Sequence, residues 1–365
     1  MTARTDAPTP PPGCARRQVA VIIPTLDRDD LLEKCLASLA QQTLLPERIL
    51  VLDNSPRSAP PAFLACFPRV EYFPLRKNSG TAGAFNRGLA LCKASPYVLL
   101  LNNDAEIEPN CLAQLVDALE DDASSDIAVP RLVQAAHPEL LDGVGDEMIL
   151  GGGAFRVGHN ERDAGQYEAR EYVLSACGAA VLIRRAVLED VGDFDEDFFA
   201  YREDVDFSLR AQWRGHSCVY VPGARGRHLG SATLGSTFHP RIMRLSSRNQ
   251  ICLVIKNYSW PILVRLLPRL AVFQLLWAGL AVRKGAFLSY CLGMLEALLL
   301  LPKMWARRRA ILSTRRISGS EMLARMRASE ARVWRWHSSP QNSRPSKLLA
   351  VYFHIFGAPR EGSAR

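Results

Sequence analysis

The sequence predicts an α/β protein: a buried, doubly wound, largely parallel sheet followed by a mainly helical, hydrophobic C-terminal region. Three observations lead there. Short unbroken apolar runs, Val19-Ala20-Val21-Ile22-Ile23, Ile49-Leu50-Val51-Leu52 and Val98-Leu99-Leu100-Leu101, have the character of strands buried on both faces. The segments between them carry apolar residues at helical spacing, the alternation of right-handed strand–helix–strand units. Each run also stops at polar residues, and in open α/β sheets ligands gather beyond the carboxyl ends of the strands. With 365 residues, 48% of them hydrophobic, the chain can fill one large α/β domain and an appendage.

Taken in order, residues 1–17 are Pro-rich and polar, are expected to be disordered, and contain no signal-peptide pattern. Pro24-Thr25 ends the first strand, and Asp29 is placed to cap a helix in which Leu31, Leu32, Cys35, Leu36 and Leu39 share a face. The second strand ends on Asp53-Asn54-Ser55. A short third strand, Val70-Glu71-Tyr72-Phe73, runs into the turn Asn78-Ser79-Gly80-Thr81-Ala82-Gly83 and a helix through Asn86, Arg87 and Leu91. That turn has neither dinucleotide-fingerprint nor P-loop spacing. Its position between two strands that end in carboxylates lets its backbone N–H groups and Arg87 approach a nucleotide or its phosphates. The fourth strand ends on Asn102-Asn103-Asp104, where a carboxylate beside amides suits a hard cation carrying a phosphate.

The second half supplies different chemistry. Ser175 through Ala180 are small and lead into a strand at Val181-Leu182-Ile183; Asp193 through Phe207 interleave carboxylates with aromatics. Within that stretch Glu203-Asp204 opens a helix ending near Gly215, whose positive end favours an ionised carboxylate ready to act as a base. Val219-Tyr220-Val221 reads as another strand. His228, following Arg225-Gly226-Arg227, is a structural histidine unless a partner such as a metal makes it a ligand. Leu229 through Arg241 reads as a lid.

Together, Ile23-Pro24-Thr25, Asp53-Asn54, Asn78 through Gly88, Leu101-Asn102-Asn103-Asp104, Gly192-Asp193-Phe194-Asp195 through Glu203-Asp204-Val205-Asp206, and Arg227-His228 resemble the inverting glycosyltransferases of family two, in particular their rhamnosyltransferase-like branch. The likeness covers about residues 18–255. It implies a GT-A fold, a nucleotide-sugar donor and a divalent cation, Mg²⁺ or Mn²⁺. Carried over position by position, it places Pro24, Thr25 and Asp53 at the nucleoside and Asn78, Gly80 and Arg87 around the base, ribose or phosphates. Asn102, Asn103 and Asp104 stand at the D-x-D position, with Asp104 the only carboxylate there. His228 matches a second metal ligand, Asp204 the catalytic base, and Glu203 a group that orients a sugar hydroxyl. The branch also implies rhamnose from dTDP-rhamnose, moved to a glycan or lipid-linked acceptor in cell-envelope polysaccharide synthesis. UDP-dependent galactofuranosyl, glucosyl or N-acetylhexosaminyl transfer is the alternative. A nucleotidyltransferase would need a phosphate loop with a lysine in the first strand–helix turn; a catalytically silent membrane scaffold would not need Asp104, Glu203, Asp204 and His228 together.

Beyond residue 255 the character changes. Pro261 through Leu301 are rich in Leu, Val and Ala but are interrupted by Arg265, Arg269, Arg283, Lys284 and Glu296. The uninterrupted stretches, Leu270–Val282 and Gly285–Leu295, fall short of the roughly 20 apolar residues that span a bilayer. The expectation for 256–312 is a pair of helices lying in one leaflet, or a hairpin packed on the catalytic domain. Of the net charge of +8, residues 302–365 supply more than the whole, with fourteen Lys/Arg against three Asp/Glu. Residues 313–365 are accordingly expected to form a basic tail. The Arg307-Arg308-Arg309 cluster suits the anionic cytoplasmic face of a membrane, so peripheral attachment there, and no nucleic-acid polymer, is the expected setting. The nine cysteines occur without CxxC or zinc spacing, pointing to a reducing compartment and against a disulfide framework or structural metal.

Overall fold

A computed structural model describes residues 17–230 and 239–359. The expected disorder of residues 1–17 and the expected lid fall, for 1–16 and 231–238, outside the described residues. The first half is the predicted alternation: β1 (Val19–Thr25), α1 (Asp29–Ala40), β2 (Arg48–Asp53), β3 (Val70–Pro74), α2 (Gly80–Leu91) and β4 (Tyr97–Leu101). Strands β3, β2, β1 and β4 lie side by side and parallel. Both faces of β1 are buried, as its unbroken apolar run requires. Val19, Val21 and Ile23 pack with Leu32, Leu36 and Leu39 of α1, whereas Ala20 and Ile22 pack with Ala84 and Phe85 of α2. Fully burying each such Val or Ile contributes about 1.5–3 kcal/mol. Asp29 sits in the first turn of α1, where a negative charge meets the positive helix end, while Arg28 occupies the cap.

The second half departs from a parallel sheet. It runs β5 (Ala105–Ile107), α3 (Cys111–Asp121), β6 (Ile127–Gln134), β7 (Leu141–Gly143), β8 (Asp146–Met148), β9 (Ala154–Arg156), β10 (Glu171–Val173), β11 (Ala180–Arg184), α4 (Arg185–Val191), α5 (Glu203–Trp213) and β12 (Cys218–His228). Strand β11 pairs antiparallel with both β4 and β6, β12 is parallel to β6, and β10 closes that edge antiparallel. Strand direction leaves no mark in the sequence when both faces are buried. Val181, Leu182 and Ile183 are as apolar as the parallel strands and equally buried.

The C-terminal region is wholly helical in its named elements: α6 (Pro240–Asn257), α7 (Trp260–Arg283), α8 (Phe287–Ser313), α9 (Gly319–His337) and α10 (Lys347–Phe356). The boundary expected at 255 falls inside α6. Lys256 of α6 is buried, with its ammonium 2.6 Å from Asp195 and 2.7 Å from Asp206. Arg307 of α8 reaches Asp195 at 2.6 Å and also pairs with Asp197, and Lys303 meets Asp197 at 2.6 Å. Arg308 packs against both Trp260 and Trp305, 4.8 and 4.9 Å from their ring centroids. Two of the three clustered arginines are thus spent inside the protein, correcting the expectation that the cluster faces lipid; Arg309 is exposed.

Within the expected basic tail, 313–365, lie the helices α9 and α10. Helix α9 buries Met322, Leu323, Met326 and Val333 on one face. Its Glu330 accepts the Leu150 N–H at 2.9 Å, and its Ser329 and Arg332 hold Glu147. The arginines of this segment masked an amphipathic helix.

Candidate active site

The parallel half delivers its polar residues to one edge. Thr25 and Asp53 are register neighbours at the ends of β1 and β2, and Asn103 donates to Thr25 Oγ1 at 3.0 Å. Pro24 precedes Thr25, half-buried. The Asn102 N–H bonds the Ala179 carbonyl at 2.9 Å, so β4 stays paired to the point where it turns. The turn feeds β5, which pairs with the far end of β12 and sets Ala105 opposite His228. Asp104 therefore meets His228 although they are remote in sequence: Oδ1 lies 3.2 Å from Nε2, and both side chains are nearly buried.

Behind that pair stands a charged cluster. His228 Nδ1 is 2.8 Å from Asp142 Oδ2, and the same oxygen accepts from Arg156 Nη1 at 2.7 Å. Arg156 Nε lies 3.6 Å from Asp146 Oδ1. Burial works against a charged imidazole, but the bonds to Asp104 and Asp142 outweigh it and push His228 up to about 9. Burial also pushes Asp146 up to about 7, against the pull of Arg156. Sequence reading missed Asp142, Asp146 and Arg156. Their signal was Asp142-Gly143-Val144-Gly145-Asp146, two carboxylates separated by glycines on strands too short to show a period.

The acidic pair opens α5. Asp204 accepts the Gly178 N–H and the Val205 N–H, each at 2.8 Å. Glu203 is buried with Oε2 lacking a partner. Burial and the adjacent Asp204 charge drive Glu203 well above the usual carboxylate range. Burial raises Asp204 as well, opposed by its two N–H bonds and by Arg156 and Arg202. Both carboxyls are thus raised by burial, and the two N–H bonds of Asp204 favour its ionised form. The approach to this pair is strained: Phe199, Tyr201 and Arg202 have φ of 63°, 69° and 69°, a region costly for residues with a side chain. Helix α6 holds them there. Asn249 Nδ2 donates to the carbonyls of Phe198, Ala200 and Tyr201 at 2.9, 2.9 and 2.7 Å.

On the nucleotide side, Asp53 is buried, accepting from the Ser55 N–H at 2.8 Å and the Tyr72 hydroxyl at 2.7 Å and pairing with Arg57 at 2.9 Å. Asn54 accepts from the N–H and hydroxyl of Ser79, both at 2.9 Å, and Asn78 accepts the Gly80 N–H at 3.0 Å. Gly80 has φ +73°, and a Cβ there would overlap the Phe199 carbonyl, so the turn admits no larger residue. Arg87 is exposed on α2. Its neighbour Asn86 makes the structural contact, bonding the N–H and carbonyl of Phe194 at 2.8 and 2.9 Å.

A divalent cation fits this donor set. Among the described residues no group of three His, Cys, Asp or Glu side chains is placed to hold a metal. Asp104 and His228 do present one carboxylate oxygen and one ring nitrogen together, and a cation that arrives with a diphosphate needs few protein ligands. Asp142 on the other ring nitrogen is the usual partner of a ligating histidine.

Residues 20–192 match the family described as Glycosyl transferase family 2. The chain carries a family 2 glycosyltransferase domain. The N-acetylglucosaminyl-diphospho-decaprenol L-rhamnosyltransferase of Mycobacterium tuberculosis is 28% identical over 253 residues, covering 63% of this chain and 81% of the relative. The O-antigen biosynthesis protein RfbC of Myxococcus xanthus is 30% identical over 225 residues, 59% of this chain but only 18% of that larger protein. A solved structure of GalNAc-T7 with UDP, GalNAc and Mn²⁺ superposes with a TM-score of 0.55 at 14% identity, over 80% of this chain and 55% of that one; it bears on the fold alone. The mixed sheet is that of the GT-A glycosyltransferases, and this glycosyltransferase adds to it the helical region from α6 onward.

Proposed function

We propose that this glycosyltransferase moves a sugar, rhamnose from dTDP-rhamnose, with inversion to a hydroxyl of a glycan or lipid-linked acceptor in envelope polysaccharide synthesis. The observation that carries the reading is the meeting of Asp104 and His228, 3.2 Å apart, at the carboxyl edge of the sheet beside the cluster of Asp142, Arg156 and Asp146. The acceptor oxygen bonds to the anomeric carbon as its proton passes to Asp204, and the bond to the diphosphate breaks on the opposite face with the electron pair leaving on phosphate. Glu203, carrying its proton, orients a sugar hydroxyl. Asp104 and His228 would hold a divalent cation, which would supply Lewis-acid neutralisation of the diphosphate. Thr25, Asn78, Gly80, Asn102 and Asn103 would border the nucleotide, with Pro24 shaping the same edge. Asp53 acts there through Tyr72 and Arg57, which it holds; Arg87 would reach the phosphates from α2.

Rhamnose rests on the branch that the motifs resemble and on the rhamnosyltransferase relative. A decaprenyl-linked acceptor, named for that relative, also suits a protein with an outward apolar face on α7 and α8. The test is a panel of nucleotide-sugars assayed for donor hydrolysis and transfer with Mg²⁺ or Mn²⁺. Turnover of dTDP-rhamnose above all others is expected. Preference for a UDP-sugar would replace the donor while keeping the site; absence of turnover with every donor would refute the reading.

A further inference from the structure

We propose that Arg156 is the positioning residue of this site, fixing the His228 ring through the Asp142 carboxylate that they share and setting a fixed positive charge beside Asp146. The proposal rests on the roles given above to His228 and Asp204. Arg156 ends β9, and its stem crosses the backbone of Gly143, where a Cβ would overlap Arg156 Cγ and Cδ. That crossing delivers the guanidinium between the strand residues and His228. Nη1 donates to Asp142 Oδ2 at 2.7 Å and lies 3.4 Å from His228 Nδ1, while Nε lies 3.6 Å from Asp146. One carboxylate oxygen thus registers both ring and guanidinium. With Nδ1 committed to Asp142, Nε2 is the nitrogen turned to Asp104. A lysine would keep the charge but lose the planar fork that spans Asp142 and Asp146 at once. The positive charge also opposes the rise that burial imposes on Asp146 and Asp204.

Two readouts test the proposal, one independent of turnover. In full-length protein with ¹⁵N-labelled histidine, the His228 ring should show one hydrogen-bonded Nδ1–H, and R156K and R156Q should both lose that signature while their melting curves stay cooperative. With dTDP-rhamnose, or the donor that the panel selects, R156K should lower kcat by about 10–100-fold, the usual cost of removing a ligand's supporting partner. Its donor KM should stay within about threefold, because the ligand set itself is intact. Asp142→Asn should give a similar loss, and the R156K/D142N double variant little more than either alone, since both act through one ring. An unchanged His228 signature in R156K and R156Q overturns the proposal whether or not the enzyme turns over. So does fully additive loss in the double variant. A wild type inert toward every nucleotide-sugar refutes the functional reading instead, and the ring signature still judges Arg156.

Discussion

On the proposed mechanism the chemistry turns on Asp204, the member of the acidic pair held by two backbone N–H groups. Its oxygens are fixed by the Gly178 and Val205 N–H groups, and Glu203 beside it is the more deeply buried. Asp204→Asn keeps the shape and removes the acceptor, so transfer should fall by about 10²–10⁴-fold, the range for a general base, with donor affinity little changed. Transfer within tenfold of wild type would refute the assignment. Asp104 differs in kind. Its loss should weaken Mn²⁺-dependent donor binding as well as turnover, whereas Asn102→Ala should do less, since an amide holds a hard cation less well than a carboxylate. Titrating Mn²⁺ against bound nucleotide separates them, and equal, metal-independent affinity in Asp104→Ala and wild type would place the cation elsewhere. Of these residues the sequence made Asp104 and Asp204 legible through the polar ends of an apolar run and of a helix opening. Asp142 and Arg156 were not legible, because three-residue strands carry no periodicity and their partner is the distant His228.

At the scale of elements, the loop before α5 is clamped by α6 and α8, of which the sequence suggested only α8 as part of a separate region. Strands β1 to β4 could be read from their composition, since burial on both faces demands apolar runs. The docking of α6 and α8 could not, because Asp195, Asp197 and Asp206 look like a solvated acidic stretch until their partners arrive from far along the chain. Lys256 shows the consequence. Lys256→Met would remove the cation that Asp195 and Asp206 share, leaving Asp195 to Arg307 and Asp206 to Arg210, so the loss should fall below the about 3–5 kcal/mol of a buried charge left unpaired. Lys256 and Arg210 hold Asp206 below its ordinary range against the burial that would raise it. A depressed carboxylate contributes stability above its unfolded pKa and loses it as pH falls through the folded value. The deficit of Lys256→Met should therefore hold from pH 7 down to about pH 4, the unfolded Asp range, and shrink below it as acid protonates the carboxylates. Urea unfolding at pH 7.5 and at about pH 3, below the unfolded Asp value, would show this, and an equal or larger deficit at the lower pH would count against the clamp.

For the whole molecule, the open question of location is narrowed by how α7 and α8 are held. They are 24 and 27 residues long with apolar windows of mean hydropathy 1.5 and 1.4, of which 17% is buried in each. Length and composition alone would let either cross a bilayer. The attachments of α8 run along most of it, however: Glu296 pairs with Arg244 of α6, Ala297 and Met304 are buried, and Lys303 and Arg307 hold the loop before α5. A helix attached to the rest of the chain over that length is expected to lie along a membrane surface rather than to cross it. Its other face offers Leu288, Leu295, Leu298 and Leu299, joined by Val264, Leu267 and Leu275 of α7, all more than half exposed. At about 0.8 kcal/mol per buried methylene, partial insertion of these side chains outweighs surface ion pairs worth about 0–1 kcal/mol each. The protein should float with anionic vesicles and stay bound in high salt, since apolar insertion is not screened. Leu275→Glu together with Leu298→Glu and Leu299→Glu should release it, leaving the buried faces of both helices untouched. Full-length protein that remains in the soluble fraction with anionic vesicles at low salt would mean that this apolar face meets something other than a membrane.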